Sequence, residues 1–101
     1  MTDILRDSLP SGSTGYTIVG TSAIKLRDNS RELLTGVSIK ADTANAGVVY
    51  VGFSDQISAN ADTKSGYPLA AGDSVPISID DIAKVYIIAS AITQKVFFIA
   101  Q

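Results

Sequence analysis

The stretch Val37–Ser54, VSIKADTANAGVVYVGFS, decides the fold. Val37, Ile39 and Ala41 alternate with Ser38, Lys40 and Asp42. Asn45 and Gly47 break the pattern, and alternation resumes with Val49, Val51 and Phe53 against Val48, Tyr50 and Gly52. A period of two carried by β-branched and aromatic residues marks a half-buried strand. Asn and Gly tolerate the positive φ that a chain reversal commonly needs. The stretch therefore predicts two strands and a tight turn, a β-hairpin at the centre of a sheet.

Working outward, Lys84–Ser90 and Lys95–Ala100 are strands of nearly continuous apolar character, separated by a turn at 91–94. Val75, Ile77 and Ile79 alternate with Pro76 and Ser78. Proline cannot donate to a ladder, so that strand belongs at an edge, or Pro76 faces away from its pairing side. Gly72 is expected at positive φ in the turn before it. Asp80–Ala83 reads as one helical turn with an aspartate as cap. Upstream, Tyr16–Arg27 is extended, with Gly20 as a bend or bulge. Residues 55–66 are small and polar and read as a loop.

Short strands with turns every eight to twelve residues point to an all-β chain, a β-sandwich or a jelly-roll-like barrel with a short N-terminal arm. The expected core includes Val37, Ile39, Val49, Val51, Ile77, Val85, Ile87 and Phe98. The expected organisation is an arm and linker over 1–15, followed by one domain over 16–101. Within the arm, Leu5 and Leu9 lie at helical spacing, with Ile4 beside them, ahead of Pro10, and the Ser/Gly run 11–15 is a flexible tether.

Composition narrows the chemistry. The 101 residues hold 8 basic and 10 acidic side chains, a net charge of −2, with no cysteine and no histidine. Disulfides and thiolate metal sites are excluded, and the commonest general base is missing. No basic patch offers itself to a phosphate backbone, since Lys25, Arg27 and Arg31 are interleaved with Asp28 and Glu32. No apolar run has membrane-spanning length, and MTDILRDSLP lacks the regions of a signal peptide. The reading expects no enzyme, no cofactor, no nucleic acid and no membrane.

Three constellations remain. Asp80 and Asp81 are adjacent and suit capping better than a facing catalytic pair. Asp55, Ser58, Asn60, Asp62 and Ser65 are oxygen donors of the calcium type, without the spacing of an EF-hand. Tyr16, Tyr50, Tyr67 and Tyr86 are candidates for sugar stacking, or half-buried sheet residues.

The runs Val37–Ala41, Asn45-x-Gly47 and Val49–Gly52, then Tyr67-Pro68-Leu69 with Gly72–Val75, then Asp81-Ile82-x-Lys84–Ile87, resemble small virion proteins of tailed bacteriophages. The likeness spans roughly 33–99 and is one of strands and turns. It implies a structural role, that of a head decoration (cement) protein bound to the phage major capsid protein. Such a protein is made in the bacterial host cytoplasm and sits on the head surface of the virion. The alternative is a tail, fibre or baseplate module that binds a host glycan. Because Phe97 and Ile99 face opposite to Phe98 on a strand, a neighbouring subunit is expected to cover them together with Tyr86. A homotrimer is expected first and a dimer second, with Ile4, Leu5 and Leu9 as the capsid-binding arm.

Overall fold

The structure, a computed structural model, describes residues 13–28, 30, 32–59 and 66–101. Eight strands lie among them: β1 (Ser13–Val19), β2 (Ile24–Lys25), β3 (Val37–Ala41), β4 (Val49–Gly52), β5 (Tyr67–Leu69), β6 (Ser74–Ile77), β7 (Tyr86–Ala89) and β8 (Gln94–Ala100). They form two antiparallel sheets, ordered β1-β8-β3-β6 and β2-β7-β4-β5. Every in-sheet pairing is antiparallel, and β1 pairs β8, β2 pairs β7, β3 pairs β6 and β4 pairs β5. The chain is thus one long double ribbon, with its tip between β4 and β5, rolled so that successive strands alternate between sheets except at that tip, where β4 and β5 pair. That is the strand order of an eight-stranded jelly roll. The chain is nearly all β, with 4% helical, and the sheets pack as a sandwich without closing into a barrel.

The deciding stretch differs from its reading. β3 and β4 do not pair with each other; they lie in different sheets, and residues 42–48 arch across the edge of the sandwich. An arch and a hairpin share the same alternation along the strands, so periodicity does not separate them. The backbone does. Neither Asn45 nor Gly47 takes positive φ. Asn45 instead acts as a surrogate ladder partner for β8: its Nδ2 donates to the Lys95 carbonyl at 2.9 Å and its Oδ1 accepts from the Lys95 N–H at 2.9 Å. Gly47 donates to Oε1 of Gln94, a buried polar side chain, at 2.9 Å. Glycine is needed at 47 for room, because a Cβ there would lie 2.7 Å from Ser90 Oγ. Asn45→Ala leaves the Lys95 N–H without its partner, while Asp42 still donates to the Lys95 carbonyl. The expected cost is about 1–3 kcal/mol, read as a lower urea midpoint at unchanged m-value.

Other expectations are met. Gly72 has φ +87. Asp81 caps a single 3-10 turn over Ile82–Lys84 by accepting from the Ala83 N–H at 2.9 Å. β6, with Pro76, is an edge strand, and so is β5, with Pro68. The first strand starts at Ser13, inside the Ser/Gly run read as a tether.

The core lies between the sheets. Of the expected set, Val37, Ile39, Val49, Val51, Val85, Ile87 and Phe98 are buried, and Ile77 is half-buried against them. Val19, Leu26, Leu33, Leu69, Ile82 and Val96 belong to it as well, with Ala41, Ala89 and Ala100. At the β1/β2 side, the Thr17 hydroxyl donates across to the Leu26 carbonyl at 2.8 Å. The Arg27 guanidinium sits 5.5 Å from the centre of the Phe98 ring.

Candidate functional site

Strand alternation gives each sheet an inner and an outer face. In the β1-β8-β3-β6 sheet the inner positions of β8 are Val96, Phe98 and Ala100, all buried, while Phe97 and Ile99 point outward at 42% and 52% exposure. Register places Tyr16 beside Phe97 and Lys40 in one row, Thr14 beside Ile99 and Ser38 in the next, and Ile18 beside Lys95. Tyr16 and Ile18 are 57% and 47% exposed. Tyr16, Ile18, Phe97 and Ile99 therefore make one apolar patch on the outer face.

The patch has internal order. The Tyr16 and Phe97 rings are tilted at 59° with centroids 6.4 Å apart. Lys95 Nζ lies 5.1 Å from the Tyr16 ring and 5.7 Å from that of Phe97. Its ammonium attracts both ring faces, and its stem covers part of the apolar surface. Lys40 follows Phe97 in the row and Ser74 ends it, so the patch has a polar rim.

The other sheet's outer face differs. A Cβ on Gly52 would lie 2.4 Å from Ile57 Cγ2, so the segment after β4 folds back and seats Ile57 on that face. Ile88 is buried there, and Tyr50 and Tyr86 are half-buried. Of the residues expected to form an oligomer interface, the fold brings Phe97 and Ile99 together and places Tyr86 on the opposite sheet. Tyr16 and Ile18, which the sequence reading did not assign to the interface, join them instead. Their signal was the alternation within STGYTIV; knowing that β1 lies beside β8 requires the topology. Ile4, Leu5 and Leu9 fall outside the described residues.

The four tyrosines do not share a surface. Tyr16 is on one sheet, Tyr50 and Tyr86 are on the outer face of the other, and Tyr67 is exposed on the edge strand β5. Tyr67 lines a groove of about 340 Å³ at the open side of the sandwich with Phe53, Val75 and Ile77.

The described acidic residues of these constellations, Asp55, Asp80 and Asp81, make structural contacts. Asp81 caps its turn and also accepts from the Ser30 hydroxyl. Asp80 pairs with Lys84 at 2.7 Å, and this hydrogen bond raises the Lys84 pKa above its usual value. The attraction holds at neutral pH and is lost as pH rises through that raised value; both groups are exposed, so solvent screens it. Asp55 accepts from the Gln56 amide at 3.1 Å, while Asn60, Asp62 and Ser65 lie outside the described residues. No group of three or more His, Cys, Asp or Glu side chains is gathered among the described residues, and none of their helices is long and apolar enough to cross a membrane.

No family model matches the chain, and no curated protein or solved structure matches it.

Proposed function

We propose that this chain is a structural subunit of a tailed-phage virion, a head decoration protein that binds the major capsid protein on the head surface. The observation that carries the reading is the bare patch of Tyr16, Ile18, Phe97 and Ile99 on a small sandwich in which Asp80 serves an ion pair and Asp81 a cap. An apolar centre with a polar rim is the composition of a surface that another protein covers. The resemblance of 33–99 to small phage virion proteins supplies the setting. The jelly-roll order agrees by analogy, since that architecture recurs in viral capsid and lectin domains. Subunits associate through the patch, as trimers or, second, as dimers, and the segment with Ile4, Leu5 and Leu9 contacts the capsid.

The test mixes purified protein with phage heads lacking it and measures co-sedimentation. Wild type is expected to pellet with heads. Deletion of residues 1–10 is expected to weaken attachment and keep the oligomer. Phe97→Asp is expected to dissociate the oligomer. Retention on host cells with no binding to heads would instead favour the glycan-binding tail module, for which the exposed Tyr16 ring beside Lys95 is the supporting observation.

A further inference from the structure

The hydrogen-bonding directions of each edge strand follow from the ladder. Gly36 and Gln101 exchange both backbone hydrogen bonds, at 3.1 and 2.9 Å, and Asp42 donates to Lys95 at 3.0 Å. Antiparallel pairs alternate, so Lys95, Phe97, Ile99 and Gln101 bond toward β3, and Gln94, Val96, Phe98 and Ala100 bond toward β1. The register then makes Ser13, Gly15, Thr17 and Val19 the residues of β1 that bond β8. The N–H and C=O groups of Thr14, Tyr16 and Ile18 are left on the free edge, and no described residue pairs with them.

The other three edges are closed by sequence. The same alternation points Val75 and Ile77 of β6 toward β3 and Pro76 outward, where a proline has no N–H to offer. In the second sheet, Ser90 donates to Val48 at 2.9 Å, which turns Val49 and Val51 toward β5 and leaves Pro68 on the outside. The fourth edge, β2, is two residues long. Short edges and edge prolines are the usual guards against strand addition. β1 alone lacks them: it is seven residues long and holds neither a proline nor a charge. An open groove of about 510 Å³ runs between it and the segment from Ile24 to Asp28, so the edge is accessible.

We infer that β1 of a second copy of this chain adds to this edge, antiparallel about a two-fold axis through Tyr16, joining two four-stranded sheets into one. The edge is self-complementary about that residue: Tyr16 meets Tyr16, and Thr14 meets Ile18 in both directions. Each pair exchanges two backbone hydrogen bonds. No like charges oppose across the axis, and the two apolar patches become continuous. This contact goes beyond the reading as a virion subunit, and it selects the two-fold over the three-fold association.

Sedimentation velocity on purified protein, without heads, tests it. The expected species is a dimer or a multiple of two. Tyr16→Pro removes an outward N–H together with the ring beside Phe97, so Tyr16→Ala, which keeps the N–H, is its control; Tyr16→Pro alone is expected to halve the mass, with an unchanged β-sheet circular dichroism spectrum. The chain has no cysteine, so Tyr16→Cys and Thr14→Cys are clean probes with a short bis-maleimide. Tyr16→Cys is expected to give covalent dimer at least tenfold faster, because the Thr14 positions lie four residues apart along the paired strands. A monomeric wild type, a closed trimer, a folded Tyr16→Pro variant of unchanged mass, or equal cross-linking at the two sites would each overturn the inference. If Tyr16→Pro does not fold, the cross-linking comparison decides. A dimer that ignores heads would refute the head-decoration role and leave this contact standing.

Discussion

Phe98→Ala is expected to destabilise the chain by about 3–5 kcal/mol, while Ala at the adjacent Phe97 should change the stability of the isolated subunit by only about 0.5 kcal/mol. The two residues are the same type on the same strand, and only alternation separates them. Phe98 is 4% exposed, at the centre of the sandwich. Its ring tip occupies the space where Gly15 has no Cβ; a Cβ there would lie 3.0 Å from Phe98 Cζ. Arg27 closes the ring from the side of the sandwich. Removing the ring leaves a cavity between two sheets held apart by their other side chains, so collapse can recover little of the loss. Phe97 already faces solvent and gives up mainly its contacts with Tyr16 and Lys95. Urea unfolding at low protein concentration measures both. Comparable losses for the two variants would mean that the outer face is covered within the subunit. A Phe97 effect that grows with protein concentration would report its burial in an assembly.

The second large effect is expected at Gly36. Gly36→Ala should cost about 2–5 kcal/mol, from roughly 1–2 kcal/mol for a side chain at positive φ and about 1–3 kcal/mol for the overlap it creates. Gly36 has φ +120, and a Cβ there would fall 2.0 Å from the Ile77 carbonyl oxygen. That oxygen belongs to the backbone of β6 and cannot swing aside as a flexible side chain would. Gly36 also exchanges hydrogen bonds with Gln101, so the strain reaches both the β3–β6 and β3–β8 seams. Against a total stability of about 5–15 kcal/mol for a typical domain, the variant should unfold at a far lower temperature or fail to accumulate. Gly20→Ala is the control. Gly20 has no positive φ, and its Cβ would meet nothing within 4 Å, so its melting temperature should stay within a few degrees of wild type. Equal behaviour of the two variants would refute the close approach of β6 to Gly36.

These contrasts mark where sequence reading reaches and where it stops. Within a strand, side-chain direction is set by a local rule of period two, so VSIKA, VYVG and QKVFFIA declared their buried and exposed members. Proline chemistry is local too: a missing N–H put Pro76 on an edge or facing away from its pairing side before any strand order was known, and β6 is an edge strand. Which strands are neighbours is a long-range matter. The hairpin expected over Val37–Ser54 is an arch because Asn45 and Gly47 bond to Lys95 and Gln94, some fifty residues away. No pattern within the stretch contains that information. Pairing β1 with β8 likewise gathers Tyr16 and Ile18 beside Phe97 and Ile99, from opposite ends of the described chain. By itself the sequence determined an all-β chain, its strand faces, most of its core, and the absence of histidine and cysteine chemistry. The tertiary structure alone decided the rolled strand order, the separation of Tyr86 from Phe97, and which sheet face and edge are bare. The reason is physical: periodicity reports each strand's own burial, whereas strand partners are chosen by backbone hydrogen bonds between segments far apart in the chain.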